Sequence, residues 1–157
     1  MNRIIRELST QTEETVLIEE IPDDEVMNND WKKLAESYDS IVKGNNGLLK
    51  KYFDYGQMFV RKVKEMKNEN KGKRVWKKGQ INELNNRIFT EIIRELKMNE
   101  TQKEALKKRT QRARNVYEMF IGIGKEKMER IKESSVYEIV TLNKDERRQV
   151  IDGVKKN

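Results

Sequence analysis

The sequence predicts an all-α fold: a compact bundle of about five to seven helices carried behind an acidic leader. Three observations support this. From Asn28 onward apolar residues recur at i, i+3, i+4 and i+7, the spacing of one helix face. No stretch alternates with period two for long, so no sheet is expected. The charge is split: residues 1–30 hold two basic and nine acidic residues, and residues 31–157 hold the other 32 basic against 18 acidic. A chain of 157 residues fits one domain with a tail, here an arm over 1–27 and a basic helical domain over 28–157.

The arm is rich in Thr and Glu and holds the only proline, Pro22. Its one apolar run, Thr15-Val16-Leu17-Ile18, lies between Glu pairs. It reads as a flexible, largely disordered segment that adds a short strand or turn to a protein partner, or as a tail without a role.

The first helix carries Trp31, Leu34, Ala35, Tyr38, Ile41 and Val42 on one stripe. Asn29 or Asp30 caps its start, and Gly44 ends it in the turn Gly44-Asn45-Asn46-Gly47. The second runs from about Gly47 to Lys67, with Leu49, Tyr52, Phe53, Gly56, Phe59, Val60, Val63 and Met66 inward. Gly56 costs roughly 1 kcal/mol of helix propensity relative to Ala, which implies close packing of another helix there. A basic loop over 68–79 follows, carrying Trp76 among Lys71, Lys73, Arg74, Lys77 and Lys78.

The third helix spans about Gln80 to Met98, with Ile81, Leu84, Ile88, Ile92 and Leu96 inward. Asn99 begins the fourth, with Gln102 at the capping-box position, and it continues to about Phe120. Its apolar arc holds Ala105, Leu106, Ala113, Val116, Tyr117 and Phe120. Short helices carrying Met128 and Ile131, then Val136, Ile139 and Val140, complete the pattern. A last helix capped by Asn143 and Glu146 carries Val150, Ile151 and Val154.

The chain has no Cys and no His, which removes thiolate nucleophiles, disulfides, Cys/His zinc sites and histidine acid–base chemistry. No carboxylate spacing marks a metal or glycosidase pair, and Asp23-Asp24-Glu25 holds a cation only loosely. There is no phosphate-binding Gly loop. The expectation is a non-enzymatic protein without cofactor or metal. No apolar run reaches the roughly 18 residues of a membrane span, and no secretory h-region is seen at the start. The chain reads as intracellular, and nuclear if eukaryotic, with Lys71-Gly72-Lys73-Arg74 and Lys107-Lys108-Arg109 as short import-like runs.

Basic residues supply the functional candidates. At about 100° per residue, Lys103, Lys107 and Arg114 fall within about 40° of one another, away from the apolar arc. Lys108 and Arg112 form an i, i+4 pair beside them. Such a stripe follows a phosphate backbone, or it is a solvated face. Arg109 lies inside the apolar arc, so it is paired with a carboxylate or marks an opening for a partner. Trp76 among basic residues suits base stacking, or it anchors the loop into the core.

The segment 120–131 contains Ile121-Gly122-Ile123-Gly124, and this resembles the hydrophobic-Gly-hydrophobic-Gly turn of the helix-hairpin-helix family. The resemblance implies that backbone N–H groups around Gly122, Gly124 and Lys125 hold a phosphate at the start of a following helix. Residues before the first Gly and at Met128 depart from the family pattern, which has Pro and Ala there. Residues 133–151 look like the helix pair that often trails such motifs. A looser resemblance, over about 50–140, is to short phage- and plasmid-type helical proteins and to multicopy fungal ones. It rests on Tyr55-Gly56, Trp76 and Arg109-Thr110-Gln111-Arg112 and implies helix-turn-helix-like binding.

The expected function is nucleic-acid binding, DNA favoured over RNA, mainly through phosphates. The contact residues are Lys103, Lys107, Arg112 and Arg114, the turn at Gly122, Gly124 and Lys125, and an extension through Lys73, Arg74, Trp76 and Lys77. The acidic arm competes for the basic face or docks a protein partner. The alternative is a helical adaptor in a larger assembly.

Overall fold

The structure, a computed structural model, describes residues 31–44, 46–69 and 76–156. The acidic arm, its Val16–Ile18 run and the candidate contacts Lys73 and Arg74 lie outside the described residues. Among the described residues there are six α-helices, two short 3-10 helices and no strand. The helices are α1 (Trp31–Lys43), α2 (Leu48–Glu69), α3 (Lys78–Leu96), α4 (Glu100–Ile123), α5 (Val136–Val140) and α6 (Lys144–Lys156). The 3-10 helices, Lys125–Arg130 and Glu133–Ser135, lie between α4 and α5.

The pairing of α2 with α4 dominates the bundle, although α3 separates them in sequence. Gly56 makes that closeness possible. A Cβ there would stand 2.6 Å from the carbonyl carbon of Ala113 and 3.1 Å from the Cβ of Tyr117, distances that a packed interior does not accommodate. Around the crossing Phe53 meets Tyr117 with ring centroids 5.3 Å apart, and the Tyr55 hydroxyl reaches Thr110.

Helix α1 packs on α2 and α3, contributing Leu34, Ala35, Tyr38 and Ile41. Val42 belongs to the expected inward stripe but is 49% exposed. It sits in the last turn of α1, one residue before the helix stops, where no neighbour covers it. Helix α3 delivers Leu84, Ile88, Phe89 and Ile92 to the same core. Phe89 joins the aromatic column Tyr38–Tyr55–Phe59–Phe89, with successive centroids 5.4, 6.1 and 5.5 Å apart.

The helix ends follow local chemistry. Lys97 adopts a left-handed conformation (φ 54°, ψ 48°), which stops α3, and the Met98 N–H donates to the Ile93 carbonyl at 3.0 Å. Two residues later α4 starts in a reciprocal box. The Gln102 N–H donates to Asn99 Oδ1 at 3.0 Å, and the Asn99 N–H donates to Gln102 Oε1 at 2.9 Å. Asn143 and Glu146 make the same box at the start of α6, at 2.8 and 3.0 Å. Helix α4 does not stop near Phe120 but continues through Gly122 to Ile123. Buried Met119, Phe120 and Ile123 hold that last turn against the core, and the Gly124 N–H donates to the Phe120 carbonyl at 2.8 Å.

Candidate nucleic-acid interface

Helix α4 presents the expected cations along an outer face, but it does not treat them alike. Lys103 and Lys107 are half-buried and Lys108 is exposed. None of the three has a hydrogen bond or ion pair among the described residues. Arg112 is half-buried, its guanidinium carbon 5.8 Å from the ring centroid of Tyr137 on α5.

Arg114 departs from the expected stripe. It shares the angular sector of Lys103 and Lys107, yet its guanidinium lies 5.7 Å from the ring centroid of Phe59, and its Nε is buried without a partner. The reason is local. Ala113 sits at the Gly56 crossing, so the next turn of α2, with Phe59, is drawn against the neighbouring residue. Arg114 therefore leaves the outer cation set, although it carries the same charge.

Arg109 is half-buried and its Nη1 donates to the Tyr38 hydroxyl at 3.2 Å. The partner is a neutral phenol rather than the expected carboxylate. Burial pushes the Tyr38 hydroxyl pKa up, and the hydrogen bond and charge of Arg109 pull it back in part. Beside it the Tyr55 and Thr110 hydroxyls share a buried hydrogen bond of 2.8 Å, and burial raises the Tyr55 pKa strongly. Thr110 is a polar residue that sequence reasoning missed. Its position between Leu106 and Ala113 on the buried arc was the available signal.

The glycine segment takes a form of its own. Gly122 lies inside the last turn of α4, exposed, and so does not belong to a turn. Gly124 makes the break, with φ 113° and ψ 121°. A 3-10 helix of six residues follows it. The Glu126 side chain lies against Gly124, where an added Cβ would meet its Cδ at 3.0 Å, and Glu126 Oε2 is buried without a partner. An anion approaching from that side meets a carboxylate. Lys125 is exposed, with Nζ 5.4 Å from the Phe53 ring centroid. Nearby Asp54 has its pKa raised by burial, with Lys50 and Lys125 opposing the shift.

Trp76 is half-buried and packs against the core, the anchoring role. Lys77 is exposed, and its N–H donates to Gln80 Oε1 at 3.0 Å at the start of α3. The structure thus brings Lys103, Lys107, Lys108 and Arg112 onto one helix and leaves Lys77 and Lys125 on other elements. Among the described residues no group of three or more Asp or Glu is placed to hold a metal ion, and no helix is long and apolar enough to cross a membrane. No family model, curated protein or solved structure matches the chain.

Proposed function

We propose that the chain binds nucleic acid, DNA before RNA, through contacts to the phosphate backbone. One observation carries the reading: Lys103, Lys107 and Lys108 sit within two turns of α4 with no anionic partner among the described residues. They belong to a segment with 32 basic and 18 acidic residues. A lysine without an intrachain partner keeps its full charge for a phosphate and releases a counterion on binding it. Arg112 flanks the set, while Lys77 and Lys125 extend the footprint from other elements. Glu100 and Glu104 on the same helix are exposed and moderate the local field, which favours modest affinity over tight binding.

The test is fluorescence anisotropy with a short labelled duplex between 50 and 300 mM salt. Binding should weaken steeply with salt. Replacing Lys103, Lys107 and Lys108 by Gln should lower the salt slope by about one for each phosphate left without its lysine. A triple variant with wild-type affinity and slope would exclude this face. Absence of binding at 50 mM salt would exclude the function.

A further inference from the structure

We infer that Tyr137 is a stacking platform for an unpaired base, so that the preferred ligand is single-stranded nucleic acid. This deepens the phosphate-binding reading and rests on it. Tyr137 is the most exposed large apolar side chain among the described residues, at 71%. A single exposed aromatic is ordinary in itself, and what distinguishes this one is its cationic neighbourhood.

The ring is held firmly. Val136, Ile139 and Val140 bury the opposite side of α5, and Ser135 before it is buried too. The Tyr137 carbonyl accepts from the Thr141 hydroxyl at 2.8 Å and from the Thr141 N–H at 3.2 Å, closing the helix behind it. Among the described residues the ring hydroxyl makes no hydrogen bond, so none seen there fixes the residue as Tyr.

The surroundings select the ligand. Arg112 stands 5.8 Å from the ring centroid, within the range of a cation–π interaction, and Lys108 lies one turn back on the same side of α4. An aromatic face beside one cation, with a second a helical turn from it, is an arrangement that stacks a base and binds the adjoining phosphates. With 71% of its surface in solvent, the ring accepts a base while Arg112 stays in place. A duplex keeps its bases stacked on one another and offers Tyr137 only its backbone. Stacking therefore separates single strands from duplexes, which Lys103, Lys107 and Lys108 do not.

The experiment measures anisotropy of a labelled 15-mer of dT and of a duplex, each at 50 mM salt, with full-length wild type, Y137A and Y137F. Y137A should bind the single strand about 5- to 150-fold more weakly, the range for loss of one stacked base, and bind duplex within about twofold of wild type. Y137F should retain wild-type affinity for both. Equal single-strand affinity in Y137A and wild type would overturn the platform and leave phosphate binding intact. A loss in Y137F equal to that in Y137A would overturn stacking in favour of a hydroxyl contact. If wild type binds neither ligand, the phosphate reading falls and the platform falls with it.

Discussion

Replacing Gly56 and Gly122 by Ala should change stability in opposite directions, though both lie in α-helices and the chemical change is the same. At Gly56 the new methyl meets the Ala113 carbonyl, and this neighbour is backbone. No rotamer relieves the overlap, so α2 and α4 must separate along the main interface of the bundle. Overpacking of this kind costs about 1–3 kcal/mol, offset by about 1 kcal/mol from the helix preference for Ala. The net is a loss of up to about 2 kcal/mol. At Gly122 an added Cβ meets nothing within 4 Å. There only the backbone preference operates, and G122A should gain up to about 1 kcal/mol. Urea unfolding followed by circular dichroism at 222 nm reads both, and for a domain of this size 1 kcal/mol moves the thermal midpoint roughly 2–4 °C. G56A more stable than wild type would refute the close crossing. A destabilised G122A would refute the open position assigned to that residue.

The buried Tyr55–Thr110 pair predicts strong coupling. T110V leaves the Tyr55 hydroxyl without its partner at a cost of about 1–3 kcal/mol, and Y55F/T110V together should cost less than the sum of the single changes by denaturant titration. Asp54 gives a pH signature. Its folded pKa is raised above 3.8, so the folded state holds the proton more tightly than the unfolded chain, and stability falls as pH rises through the folded value. D54N should therefore be more stable than wild type at neutral pH, with the gain disappearing below about pH 3.8, as read by urea midpoints across pH. Deleting residues 1–27 removes the acidic arm and should tighten DNA binding at low salt. Unchanged affinity in the anisotropy assay would count against competition by the arm.

Much of this fold was legible because its signals are local. The Asn99–Gln102 and Asn143–Glu146 boxes need only residues three apart, and the period of α3 and α4 marks their inner faces without knowledge of neighbours. Gly56 was readable as a point of close approach, but its partner was not. What escaped depends on tertiary placement. Tyr55 and Lys62 are buried outside the single stripe expected for α2, because α1, α3 and α4 all pack on that helix. Lys62 is tolerated there by Glu65 at 3.5 Å and the Trp31 ring at 4.3 Å. In the candidate site, angular spacing grouped the cations of α4. It did not separate Arg114 from Lys103 and Lys107, because that distinction depends on where α2 crosses. Tyr137 gave no signal in the sequence, since exposure of one aromatic has no periodic signature.

The skipped pairing of α2 with α4 also bears on how the protein is made. A ribosome releases α1, α2 and α3 before the residues that close over Phe53, Tyr55 and Phe59 exist. At about 5–20 residues per second, the interval between synthesis of Tyr55 and of Ile123 is roughly 3–14 s. Throughout that time the aromatic centre of the bundle lacks its lid, and a chain stalled or truncated before α4 keeps it uncovered. Such fragments should be held by chaperones or degraded rather than persist as a folded half.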